Sequence, residues 1–155
     1  MHDAVADKPG RLYPEDCLPV ILGAPQPFAS RGGLKLDHAL KQFHVTPAGK
    51  TVIDIGASTG GFTDCLLQNG ADKVYAVDVG YGQLVWKIRS DPRVICLDRK
   101  NARTLSKEDI GEMLDLAVID VSFISLQLVI PPLLQILKPE GALVALVKPQ
   151  FEVGK

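Results

Sequence analysis

The 155-residue sequence predicts a doubly wound α/β fold on a mostly parallel sheet. Five short apolar runs alternate with segments of helical periodicity, and each run is apolar throughout rather than at every second residue. Continuous apolarity means strands covered on both faces, which parallel sheets flanked by helices provide. The length suits one domain of about 150 residues.

Residues 1–29 differ in texture: they hold five of the eleven prolines, and Leu18-Pro-Val-Ile-Leu22 is their only strand-like run. A linker is expected there. From Ser30 the pattern sharpens. Leu36, Ala39, Leu40 and Phe43 fall at i, i+3, i+4 and i+7, one helix face, with Ser30 available as a cap. Thr51–Ile55 is a buried strand ending in glycines. A helix follows with Phe62, Cys65 and Leu66 on one side and Gly70 past its end. Val74–Val77 forms a second strand, Leu84–Arg89 a short helix and Val94–Leu97 a third strand. Ser106 opens another helix, with Glu108 and Asp109 in its first turn. Leu116–Ile119 is the fourth strand. A helical segment then runs to Leu137, with Pro131 kinking it or marking its start. Gly141 turns the chain into a fifth strand, Ala142–Val147. Only eight residues follow, which would leave that strand as an open edge, so the chain reads as a fragment.

Composition excludes several functions. Seventeen basic against eighteen acidic residues give a net charge of -1, not the strongly basic surface of an autonomous nucleic-acid binder. Three cysteines (Cys17, Cys65, Cys96) without paired spacing support neither a disulfide framework nor zinc, and the three histidines lack metal-ligand spacing. No metal is expected. The start of the chain lacks the apolar run of a signal peptide. The longest uncharged stretch, 121–137, is interrupted by Pro131-Pro132 and falls short of the about 20 residues a membrane span needs. A cytoplasmic protein without membrane partners is expected.

In doubly wound sheets ligands sit outside the carboxyl ends of the strands, at the switch point. The first strand ends in Asp54-Ile-Gly56-Ala-Ser58-Thr-Gly60-Gly61-Phe62. Ser58 stands at the second glycine of the dinucleotide fingerprint, which disfavours a nicotinamide oxidoreductase, and no phosphate loop follows. An acidic residue before such a loop suits the nucleoside and sulfonium of S-adenosyl-L-methionine; a tight turn without ligand is the plainer alternative. Asp78, ending the second strand, can accept hydrogen bonds from ribose hydroxyls, and Asp98, after the third, is placed to meet an adenine amino group. Asp120 and Lys148 follow strands four and five and should face one crevice, where a carboxylate among apolar neighbours needs a partner. That pairing is either structural or chemical. Ser30-Arg31-Gly32-Gly33-Leu34-Lys35 suggests anion or RNA contact through backbone amides and cations, or simply a capped helix with surface charge. Trp86 and Tyr81 read as core or pocket lining.

Together, Ser30–Leu36, Asp54–Asp64, Val77–Leu84, Ile119–Ser125 and Val147–Phe151 resemble the TlyA family of FtsJ-like ribosomal RNA 2′-O-methyltransferases, often called haemolysins. The resemblance runs from about residue 30 to the end. It implies a Rossmann-like methyltransferase domain over 30–155, incomplete because its C-terminal strands are missing, and a remnant of an N-terminal RNA-binding domain within 1–29. It implies S-adenosyl-L-methionine as cofactor and ribosomal RNA or ribosomal subunits as partner. The family's lysine–aspartate–lysine–glutamate set falls on Lys35, Asp120 and Lys148, its glutamate lying on a later strand that this chain does not reach. Its cofactor positions fall on Gly60, Phe62, Asp78, Asp98 and Asp120, beside Gly56, Ser58 and Gly61 of the glycine loop. Arg31 and Lys35 would touch RNA. A ribose hydroxyl is a poor nucleophile until a base takes its proton. Lys148 is expected as base or hydroxyl-orienting group, Asp120 as its holder and Lys35 as stabiliser of the alkoxide. A neighbouring cation favours a neutral lysine and a carboxylate opposes it, so the two flanking groups pull in opposite directions. The fragment is expected to be inactive. The alternatives are a non-catalytic binder of S-adenosyl-L-methionine or RNA and, less favoured without an amphipathic or spanning segment, a lytic protein.

Overall fold

The computed structural model describes residues 26–153 together with Leu12. The expected linker and domain remnant over 1–29 therefore lies outside the described residues, apart from Leu12 and 26–29. In chain order the elements are α1 (Gly32–Gln42), β1 (Thr51–Ile55), α2 (Gly61–Gln68), β2 (Lys73–Val77), α3 (Trp86–Arg89), β3 (Val94–Leu97), a 3-10 turn (Ala102–Thr104), α4 (Lys107–Ile110), β4 (Leu114–Ile119), α5 (Leu126–Ile136), β5 (Leu137–Ala145) and α6 (Pro149–Glu152).

The five strands form one sheet in the order β3-β2-β1-β4-β5, every pair parallel. The sheet order reverses between β1 and β4, as the continuously apolar strands predict. Alternate residues on each strand feed two cores. Val52, Val74, Leu116 and Val118 meet α1 and α2 through Leu36, Leu40, Cys65 and Leu66. Ile53, Ile55, Tyr75, Val77 and Ile119 meet α5 through Val129, Leu133 and Ile136. Among the described residues no helix is long and apolar enough to cross a membrane.

Four local expectations need correction or refinement. α1 starts at Gly32 with Arg31 as its boundary residue, and Ser30 contributes from one position earlier, its Oγ accepting the Gly32 N–H at 3.3 Å. Pro131 does not mark the start of α5, which begins at Leu126 with Ser125 as N-cap. Pro131 and Pro132 leave the carbonyls of Gln127 and Leu128 without helical donors. Both residues are exposed, so water can take those bonds. β5 begins at Leu137, not Ala142. Between the Leu114–Leu137 and Leu116–Ala142 pairs the register shifts, and residues 138–141 bulge out. Finally, Tyr81 and Trp86 are neither core nor pocket lining: they are 67% and 78% exposed. The Arg99 guanidinium lies 4.6 Å from the Tyr81 ring centre.

Candidate active site

The site is built at the carboxyl ends of the parallel neighbours β1 and β4, where the chain crosses from one half of the sheet to the other. Gly56 has φ 86°, and a Cβ there would lie 2.6 Å from the Asp120 carbonyl oxygen, so only glycine lets the two strand ends approach this closely. The N–H groups of Gly56 and Ala57 both donate to the Val77 carbonyl, at 2.9 and 3.1 Å, and Asp120 N–H donates to Ile55 at 3.0 Å. Ser58 also adopts the left-handed region, φ 49°, a glycine-like conformation at the position where the dinucleotide fingerprint has glycine. Its N–H donates to Asp78 Oδ2 at 2.8 Å, and Gly80 N–H donates to Asp78 Oδ1 at 2.8 Å. Each carboxylate oxygen keeps a lone pair for a further donor.

Two cavities of about 260 Å³ each open on this crossing. One is walled by Ile55, Val77, Val79 and Ala102, with Asp78, Lys100 and Asp120 as its charged groups. The other is polar and holds Lys35, Phe62, Asp120 and Lys148. They share Gly56, Ser58, Asp120 and Ser122. Lys148 Nζ sits 2.6 Å from Asp120 Oδ1 and donates to Ser122 Oγ at 2.9 Å; both charged side chains are 21% exposed.

Behind the crossing, Asp54 is fully buried. Thr63 Oγ1 donates to its Oδ2 at 2.6 Å, and its Oδ1 accepts no hydrogen bond among the described residues. Burial pushes its carboxyl up to about 7; the Thr63 hydroxyl opposes this, while the Asp120 and Asp78 carboxylates add to it.

Of the residues singled out in the sequence, Lys35, Gly56, Ser58, Gly61, Phe62, Asp78, Asp120 and Lys148 line the two cavities. Three do not. Gly60 serves the backbone, turning into α2 at φ 100°. Asp98 lines neither cavity; its Oδ2 accepts from Arg89 at 2.9 Å. Arg31 is exposed and lines neither. The amides at the start of α1 are also taken internally. Gly32 N–H goes to Ser30 Oγ, Gly33 N–H to the Ser30 carbonyl at 3.1 Å and Leu34 N–H to Arg31 at 3.2 Å. Gly33 instead permits close packing, since a Cβ there would lie 2.7 Å from the Gly61 carbonyl oxygen. The expected anion contact through these amides therefore gives way to helix packing, and of that motif Ser30, Gly32 and the charged Lys35 line the crevice.

Ser122, Lys100 and Asn101 went unread. Ser122 has a visible signal in its spacing two residues after Asp120, and both side chains meet Lys148 Nζ. Phe123, at φ 64° and 91% exposed, packs at the rim with its ring centre 5.1 Å from that of Phe151. A cation held on a carboxylate, a second lysine and an adjoining apolar cavity with a hydroxyl-accepting aspartate make a crevice for two reactants meeting near Asp120.

Comparison with known proteins gives the family and the fold. The FtsJ-like methyltransferase family matches residues 28–155. The chain is 52% identical over 138 residues to the 16S/23S rRNA (cytidine-2′-O)-methyltransferase TlyA of Mycobacterium tuberculosis, covering 89% of this chain and 52% of that protein. It is 46% identical over 129 residues to Hemolysin A of Brachyspira hyodysenteriae, covering 83% of this chain and 54% of that protein. The chain thus spans about half the length of these curated relatives. Among solved structures, a candidate hemolysin of Streptococcus thermophilus superposes with a TM-score of 0.82 at 54% identity, over 86% of this chain and 49% of that one. An S-adenosylmethionine-dependent methyltransferase from Mesorhizobium loti shares the fold, with a TM-score of 0.56 at 19% identity, over 70% of this chain and 50% of that one.

Proposed function

We propose that this chain, which belongs to the FtsJ-like methyltransferase family, binds S-adenosyl-L-methionine and carries the ribose 2′-O-methyl transfer centre of a ribosomal RNA methyltransferase. The observation that carries this reading is the Lys148–Asp120 pair, placed in a cavity with Lys35 and sharing walls with the Asp78 cavity. The residues present fit the cofactor: Asp78 keeps acceptor capacity for two ribose hydroxyls, and apolar side chains flank it as an adenosine requires. When bound, the cofactor supplies an electrophilic methyl group on sulfonium.

The chain's own groups account for the rest. Lys148, held between Asp120 and Ser122, orients the ribose 2′-hydroxyl and in its neutral form accepts the proton. Lys35, lining the same cavity, stabilises the oxygen as it gains charge. A positioned base of this kind contributes about 10²–10⁴-fold. RNA of the ribosomal subunits is the substrate that the named relatives support, and a cytoplasmic setting follows from it.

Calorimetric titration with S-adenosyl-L-methionine, paired with transfer of labelled methyl to ribosomal subunits, tests the reading. Saturable binding that Asp78→Ala weakens by about tenfold or more, the worth of one or two charge-assisted hydrogen bonds, is expected. A folded chain that neither binds the cofactor nor transfers methyl refutes it. Binding without transfer would instead support a non-catalytic binder.

A further inference from the structure

The reacting pair sits on two separate loops. Asp120 and Ser122 belong to the segment from β4 into α5, and Lys148 to the segment from β5 into α6. Their alignment therefore depends on what ties the segments together, and besides the Lys148 bonds to Asp120 and Ser122 two side-chain contacts among the described residues do so. The Phe151 ring packs on Phe123. Glu152 reaches the start of α5: its Oε2 accepts the Ser125 hydroxyl at 2.7 Å, and its Oε1 accepts the Leu126 N–H at 3.0 Å. Ser125 is the N-cap of α5 and is itself engaged, its Oγ accepting the Gln127 N–H at 3.1 Å.

A carboxylate near a chain surface ordinarily stays with water. Here both oxygens serve a helix that lies 26 residues earlier in sequence. The link back to the lysine is short and stiff. Pro149 opens α6, fixing its first φ, and the Phe151 N–H closes the turn on the Lys148 carbonyl at 2.9 Å. Displacing Glu152 thus displaces the backbone from which Lys148 projects.

We infer that Glu152 is a positioning residue: by capping α5 from α6 it clamps the two loops and sets Lys148 on Asp120. The inference rests on the reading of that pair as the reacting groups. A 1 Å misplacement of such groups can cost about 100-fold in rate.

The test reads the lysine directly. Wild type, Glu152→Ala, Glu152→Gln and a remote destabilised control, Tyr75→Phe, are acylated briefly under native conditions. Labelling of Lys148 is quantified against Lys138, an exposed lysine paired to Asp115 elsewhere. In Glu152→Ala, Lys148 labelling rises about fivefold or more as the pair opens. Glu152→Gln, which keeps a carbonyl oxygen for the Leu126 N–H, falls between. Tyr75→Phe, which loses hydroxyl bonds to Ile110 and Glu112, matches wild type. In parallel, methyl transfer to ribosomal subunits drops in kcat about tenfold in Glu152→Ala with cofactor affinity unchanged.

Unchanged Lys148 labelling and kcat alongside a lowered unfolding midpoint would overturn the inference, leaving Glu152 as a cap of α5 alone. If Glu152→Ala does not fold, Glu152→Gln and Ser125→Ala replace it: a rise in either supports the clamp, and wild-type labelling in both refutes it. If the wild type transfers no methyl group, the functional reading fails, while the labelling still decides on Glu152.

Discussion

Asp54 makes the stability of this domain depend on pH near neutrality. Its carboxyl is pushed up to about 7 from the ordinary value of 3.8, first by burial. Between those values the folded chain holds one more proton than the unfolded chain, so stability falls as pH rises. At about 1.4 kcal/mol per pH unit, the window is worth about 4 kcal/mol. Above about 7 both states are ionised and the loss is complete. The other shifted carboxyls act elsewhere. Asp91, Asp109, Glu112 and Asp115 are held low by Arg93, Lys100, Lys73 and Lys138, and Glu108 by the Ser106 hydroxyl, so their contributions are lost only as pH falls below the ordinary carboxylate range. Urea unfolding of the wild type and Asp54→Asn at pH 5, 6, 7 and 8 is the assay. The wild type should lose stability steadily over this range, and the variant, whose amide cannot ionise, should stay nearly flat. Removing the Thr63 hydroxyl, which favours the ionised form through its 2.6 Å bond, should move the end of the decline higher. Parallel curves for wild type and Asp54→Asn would refute the assignment.

Other outcomes follow from the same contacts. Lys148→Ala should abolish methyl transfer, a loss of about 100-fold or more, while calorimetry shows cofactor affinity within about twofold of wild type. Gly33→Ala places a Cβ 2.5 Å from the Phe28 Cβ and 2.7 Å from the Gly61 carbonyl oxygen, and should lower the unfolding free energy by about 1–3 kcal/mol in urea. The Cys65 thiol, pushed up to about 12 by burial and then by the Asp37 carboxylate, should resist iodoacetamide at pH 8 until the chain unfolds, as peptide mass mapping would read.

What could be read from the sequence is what depends on local pattern. A run such as Leu116–Ile119 announces a buried parallel strand because nothing polar interrupts it on either face, and Thr51–Ile55 reads the same way although it carries one acid, Asp54, buried with Val52, Ile53 and Ile55. Asp120 and Lys148 could be paired in advance because each follows such a run, and strand ends in a doubly wound sheet converge. The structure places that pair at 2.6 Å. What escaped depends on distant partners. Asp98 follows β3 as expected, and its bond to Arg89 through Oδ2 is a tertiary pairing that no periodicity encodes. Glu152 looks like any surface acid until its bonds to Ser125 and Leu126 are seen. Trp86 and Tyr81 are apolar enough to suggest a core, but burial is decided by what the tertiary fold lays over a residue. Pro131 reads as a helix breaker, and it is tolerated because the carbonyls it deprives face water.

The strand order also has a kinetic consequence. β1, the first strand of this sheet in chain order, ends in its centre, and β2 and β3 add to one side of it in sequence order. Its other edge stays bare until β4, some sixty residues later, returns to pair with it. Closing so long a loop before its contacts reward it is slow. In the interval the Val52–Ile55 edge is open to the wrong partner. Until β4 docks, Gly56 has no Asp120 carbonyl to pass, and neither cavity has its second wall. Acquisition of cofactor affinity during refolding would therefore report a late event, the docking of β4, and would lag behind the burial of Val52 and Val74 against α2.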